Sequence, residues 1–186
     1  VSIGTQTAGS IVRPASFCGV YGCKPSFGLI PRTGMLKTTD SLDTIGYFTS
    51  QYKDLERVFD IVRVHGSNYP ISNDALNDKE RQNKPAERPW KIAFVKTYTW
   101  EHAFDYARDA IINFVNELSK FEDIQIEEIE LPDDIKSAHA VHEKIYDKTL
   151  AYYFQEEFKK PEHVSPIMNE IINRGNLINV EEYHNA

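Results

Sequence analysis

Apolar and polar positions alternate with two different periods along this chain, and the elements they predict come in a fixed order. Leu55, Val58, Phe59 and Val62 recur at i, i+3, i+4 and i+7, the spacing of one helical face, so a helix is predicted over about 53–65. Ser50 is its expected N-cap and Gly66 its expected stop. Later, KIAFV (Lys91–Val95) is a short apolar strand, and Ile111, Phe114, Val115 and Leu118 share one face of a helix over Tyr106–Phe121. IQIEEIEL (Ile124–Leu131) alternates apolar and acidic residues, as a strand with one wet face does. The connection between these two strands is long enough for a crossover helix, which predicts parallel pairing. A long helix is expected from about Asp134 to Lys159, and a shorter one from Ser165 to Arg174, ended by Gly175. At the start, Val1–Ile3 reads as the tail of a strand that feeds a glycine-rich turn. The class is α/β.

Composition divides the chain into zones. Residues 1–66 open with a stretch holding 7 of the 9 glycines before residue 50, read as tightly turned backbone around a site. Residues 67–90 are polar with three prolines and are expected to form a linker or surface excursion. Residues 91–186 carry the second α/β series and the long helix. The chain begins Val-Ser-Ile-Gly, and VEEYHNA stops just after a helical pattern has started, so a piece of a longer protein is expected. With 21 Lys plus Arg against 28 Asp plus Glu, and the basic residues scattered, nucleic acid is excluded as a direct partner. No apolar run approaches the roughly 18 residues of a membrane span. Cys18 and Cys23 have no further Cys or close His to complete a zinc set, and are expected to be reduced, buried thiols of a cytoplasmic protein.

Candidate chemistry concentrates at Thr7-Ala8-Gly9-Ser10. Acyl transfer needs an attacking hydroxyl, a base, and backbone N–H groups aimed at the oxyanion of the tetrahedral intermediate. Small residues before Ser10 let successive N–H groups point at one spot. Ser10 also fits a plain helix cap ahead of Ile11, and the residues alone leave both readings open. Elsewhere the ordinary readings prevail. Ser50 to Lys53 matches S-x-x-K but reads as a helix start, and Asp40 and Asp43 fit Asx-turn duty better than an acid and base pair. His139 and His142 read as an exposed helical face without a third metal ligand. Tyr146, Tyr152, Tyr153, Phe154 and Phe158 read as a core cluster that can also wall a pocket.

GTQTAGSIVRPASFCGVYGCKPSFGLIPRTG, followed by SLDTIG, resembles the amidase signature family, whose pattern runs G-T-D-T-G-G-S-I-R-x-P-A-x-F-C-G-x-x-G-x-K-P-T-x-G and then S-L-D-x-x-G. The resemblance implies an α/β fold with a mixed sheet flanked by helices, and an amidase that cleaves a carboxylic amide through a seryl acyl-enzyme. It implies Ser10 as nucleophile and the backbone of Thr7, Ala8, Gly9 and Ser10 as oxyanion hole, with no cofactor and no metal. The family's proton relay is a Lys and a second Ser in a cis peptide upstream of the nucleophile. Neither is among these residues, so the chain is expected to be a central segment without turnover alone. Lys24 matches the family's K-P pair and is expected to have a structural hydrogen bond.

Four departures stand out: Gln6 replaces an Asp, Val12 an Arg (with Arg13 one place later), Ala8 a Gly and Ser26 a Thr. Loss of the Asp and the Arg together leaves no unpaired buried charge, whereas Ala8 requires the turn to accept a Cβ. Small-molecule amide hydrolysis is preferred over the glutaminase, A-type subunit of an amidotransferase. The non-enzymatic alternative is a truncated scaffold or binding protein. Expected partners are a small-molecule amide, the N-terminal portion of the same fold or a second copy, with no nucleic acid and no membrane.

Overall fold

The computed structural model describes residues 1–69, 73, 74, 77 and 87–186. In chain order its main elements are β1 (Ser2–Gln6), α1 (Val12–Cys18), β2 (Tyr21–Cys23), β3 (Thr44–Thr49) and α2 (Asp54–Val62). They continue with β4 (Trp90–Val95), α3 (Asp105–Leu118), β5 (Ile124–Ile129), α4 (Ala138–Tyr153), α5 (Pro166–Leu177) and α6 (Val180–Asn185). The expected α/β class with helix-flanked sheets is present, and the chain divides into two compact units, 1–77 with 140–186, and 78–139. Most of the polar excursion expected at 67–90 lies outside the described residues.

In the first unit β1 and β2 both pair antiparallel with the central β3. Each strand carries a glycine under α1 and the residue before it: Gly4, Gly22 and Gly46. A Cβ on Gly46 would lie 2.5 Å from the Cys23 carbonyl oxygen and 2.9 Å from Ile11 Cγ1, and one on Gly22 would lie 2.7 Å from Ala15 Cβ. Ile11, fully buried, and Ala15 fill the space that these glycines leave. These three glycines are therefore strand residues that admit a helix, not the turn residues that composition suggests. Gly19, at φ 62°, does end α1, and its N–H returns to Ala15 and Ser16 carbonyls.

Leu55, Val58, Phe59 and Val62 are all half-buried on α2, as their spacing predicts. The N-cap position is Lys53 rather than Ser50, and the helix ends because Arg63 turns extended, before Gly66. Tyr47, buried in β3, donates to the Leu55 carbonyl at 2.6 Å and joins sheet to helix.

Leu150 and Ala151 of α4 and Ile172 of α5 form a buried cluster, joined by Tyr146, Phe154 and Phe158. Tyr152, expected among them, is exposed. The long helix expected over 134–159 is shorter, because a 3-10 turn occupies Asp133–Ser137 and α4 stops at Tyr153. Gly175 does not end α5 but lies buried inside it: a Cβ there would fall 2.0 Å from the Asp147 carbonyl oxygen, so the missing side chain sets how closely the two helices approach. The Asp147 carboxylate is itself buried and takes hydrogen bonds from Arg174 Nε at 2.8 Å and Nη2 at 3.3 Å.

In the second unit β4 and β5 pair in parallel, from Trp90 opposite Ile124 to Val95 opposite Ile129, as predicted. Ile124 and Ile126 are half-buried while Gln125 and Glu127 are exposed. The predicted apolar face of α3 is only partly covered, with Val115 and Leu118 half-buried but Ile111 and Phe114 exposed. Two strands make a narrow platform for a helix of this length.

Among the described residues no helix is long and apolar enough to cross a membrane. Both thiols are free, and Cys18, expected to be buried, is exposed at the end of α1.

Candidate active site

Between β1 and α1 the backbone of Thr7, Ala8 and Gly9 has an asymmetry. All three carbonyls are taken by donors within the unit: His142 Nε2 lies 3.3 Å from the Thr7 oxygen, Gln6 Nε2 donates to Ala8 at 2.7 Å, and the Arg13 N–H to Gly9 at 2.9 Å. The next three N–H groups, those of Ala8, Gly9 and Ser10, have no acceptor among the described residues. Carbonyl and N–H of one trans peptide point in opposite directions. Holding the carbonyls therefore fixes where the N–H groups aim.

Ser10 is exposed, and among the described residues its Oγ has no hydrogen-bond partner. It does not cap α1. The N-cap position is Ile11, without a side-chain cap, and the orphan N–H groups of Ile11 and Val12 donate to Gln6 Oε1 at 2.8 and 3.0 Å. Buried Gln6 thus closes the loop from both sides, accepting two N–H groups and donating one. An aspartate at this position has acceptors but no N–H, so the side chain that departs from the family pattern adds the bond to Ala8. Ala8 itself needs no special backbone: among the described residues no non-glycine has a positive φ.

Thr7 is held a second time through its hydroxyl, which donates to Asp43 Oδ1 at 2.6 Å. The Thr38 hydroxyl donates to the same oxygen at 2.9 Å, and the N–H groups of Thr38 and Thr39 donate to Oδ2 at 2.8 and 2.9 Å. Four donors match the four lone-pair sites of a carboxylate, so Asp43 has none left to take a proton. Burial disfavours its charge, but the bonds from Thr7, Thr39 and Thr38 prevail and hold its carboxyl below the ordinary value. Asp40 is separately engaged, in ion pairs with Arg32 at 3.5 Å and Lys37 at 3.0 Å. Neither aspartate is free for acid or base work, yet neither makes the Asx turn expected of it: the N–H groups on Asp43 come from four and five residues upstream, and Asp40 is held in ion pairs.

His142, on the face expected to be exposed, is instead half-buried and reaches Thr7 from α4, with the Tyr146 ring stacked on it at 6.1 Å. A carbonyl only accepts, so Nε2 carries the hydrogen in this contact. Its partner lies 135 positions away, beyond any local pattern. His139 is exposed. Lys24 Nζ donates to the Pro25 carbonyl at 2.9 Å, the kind of structural bond anticipated for it. Among the described residues no group of three or more His, Cys, Asp or Glu is placed to hold a metal ion.

Compared with known proteins, residues 1–182 match the family model described as Amidase. The A-type subunit of the glutamyl-tRNA(Gln) amidotransferase from Staphylococcus carnosus (strain TM300) is 35% identical over 136 residues, 70% of this chain and 27% of the relative. Its mitochondrial counterpart from Yarrowia lipolytica (strain CLIB 122 / E 150) is also 35% identical, over 64% of this chain and 26% of its own. This chain spans about a quarter of the length of these curated relatives. A crystal structure of an amidase superposes with a TM-score of 0.79 at 22% identity, covering 98% of this chain and 38% of the other. A 6-aminohexanoate cyclic dimer hydrolase complexed with substrate gives 0.68 at 17%, over 98% and 40%. The match over nearly every residue, on a fold shared with solved amidases, places this chain in the amidase family.

Proposed function

We propose that the chain supplies the nucleophile and oxyanion hole of an enzyme that cleaves a carboxylic amide. Ser10 Oγ attacks the carbonyl carbon, the C–N bond then breaks as the amine leaves with a proton, and water hydrolyses the resulting ester. The N–H groups of Thr7, Ala8, Gly9 and Ser10 receive the negative oxygen of both tetrahedral intermediates. The observation that carries this reading is the run of unpartnered N–H groups at Ala8, Gly9 and Ser10 beside an exposed, unpartnered hydroxyl. Among the described residues no base contacts Ser10; on this reading the proton goes to the Lys and second Ser that the family resemblance implies, and the 186 residues alone turn nothing over.

A fluorophosphonate probe tests this on the chain as it stands and on the protein extended by its native upstream sequence. Labelling of Ser10 in the extended protein, lost in Ser10→Ala, is the expected result; no labelling in either form refutes the reading. Glutamine as the amide, with ammonia handed to a partner, is the second reading. It is favoured by the relatives that are named for an amidotransferase. Ammonia release from glutamine, compared with release from simple alkyl and aryl amides by the extended protein, decides between the two.

A further inference from the structure

The Gly9 carbonyl is held by the Arg13 N–H, a bond that comes with the first turn of α1. The carbonyls of Thr7 and Ala8 have no backbone donor among the described residues; each depends on one side chain, His142 or Gln6. Both donors are restrained in turn. Gln6 is buried with its oxygen fixed by two N–H groups, and the His142 ring is stacked on Tyr146 with 11° between the planes.

We infer that His142 and Gln6 are positioning residues: by holding the carbonyls of Thr7 and Ala8 they aim the N–H groups of Ala8 and Gly9 at the acyl oxygen of the substrate bound beside Ser10. The role of the aimed groups rests on the amidase reading, whereas the aiming rests on the hydrogen bonds alone. His142 acts here as a donor. Since its Nε2 carries a hydrogen to make the bond, that nitrogen is not a proton acceptor for Ser10, which separates this role from that of a catalytic base. Peptide planarity transmits the restraint: release of the Thr7 carbonyl lets the 7–8 peptide rotate, and the Ala8 N–H swings away from the position it must hold when charge develops. Gln6 does the same for the 8–9 peptide.

The test uses the protein with its native upstream residues, in which Ser10 labelling is also assayed. His142→Phe keeps a ring against Tyr146 and removes the donor; His142→Gln restores a side-chain N–H. In His142→Phe, fluorophosphonate labelling and kcat for amide hydrolysis are expected to fall about tenfold with KM nearly unchanged, and His142→Gln to recover most of the loss. The Ala8 amide resonance, identified by its loss in Ala8→Gly, should move in His142→Phe and return towards its wild-type position in His142→Gln. Gln6→Glu, isosteric but without the N–H, should move the Gly9 resonance in the same way.

Wild-type labelling in His142→Phe, an unmoved Ala8 resonance, or equal losses in the Phe and Gln variants would each overturn the inference while leaving the amidase reading intact. Absence of Ser10 labelling in the wild-type protein refutes the amidase reading instead, and the Ala8 resonance then decides alone whether His142 orients the loop.

Discussion

Residues 4–49 and residues 90–129 each set a helix against strands, and they do it by opposite means. In the first region the helix side contributes Ile11 and Ala15, while the strands contribute glycines, so contact comes from removing side chains from the sheet. Polar groups there are buried and bonded: Gln6, Asp43, Thr39 and Thr44 all lie inside. In the second region the strands keep their side chains, β5 alternating over Ile124–Glu127 while β4 exposes Trp90–Ala93, the helix carries large apolar residues, and Ile111, Phe114 and Ile112 stay exposed. Close approach without side chains leaves no room for error, whereas a half-covered apolar face tolerates change. On the proposed function, in which the 7–10 loop holds N–H groups to within a fraction of an ångström, the first kind of support is the one required.

Three substitutions put that contrast to work. Gly46→Ala should have the largest effect, because its Cβ meets the Cys23 backbone as well as Ile11; a loss of about 2–3 kcal/mol in urea denaturation is expected. If the loss is under about 0.5 kcal/mol, the glycine platform is not what seats the helix. Next comes Asp43→Asn, expected to cost about 2 kcal/mol near pH 7, since the amide replaces one oxygen by an NH2 group whose two N–H donors face two of the four donors. This effect depends on pH. The folded-state pKa of Asp43 is lowered, so its contribution is full above the ordinary aspartate value of 3.8 and is lost as pH falls through the lower folded value. The gap between wild type and variant should therefore narrow in acid, and a gap independent of pH would assign the loss to packing. Smallest is Phe114→Ala in the 186-residue chain, expected to change stability by no more than about 0.5 kcal/mol for a side chain 62% exposed. A loss above about 1.5 kcal/mol would show that the α3 face is covered.

What the sequence reveals follows the same division. Periodicity is a local property, so α2, β4, α3 and β5 and their parallel pairing are legible from spacing alone. Glycine carries no such label. Gly4, Gly22 and Gly46 read as turn residues because composition cannot separate a residue that bends the chain from one that lets another element approach. Gly175 reads as a stop for the same reason, although it is where α5 meets the backbone of α4. At the candidate site, Ser10 and its neighbours stand out through the amidase signature pattern, but their supports do not. Gln6 is visible only as a departure, and its donor bond to Ala8 needs coordinates to be seen. The spacing of His139 and His142 suggests one helical face, a pairing that a contact across 135 positions overrides.

The buried seat of Ile11 has a spectroscopic consequence. Its δ1 methyl and the edge of the Phe48 ring crowd the same point above Gly4, 3.1 and 3.3 Å from where a Cβ would be. This methyl is thus held in a packed, aromatic-lined spot, and it belongs to the residue that follows Ser10 in the chain. A single carbon-13 label there makes the protein report in solution whenever something becomes attached to the neighbouring hydroxyl.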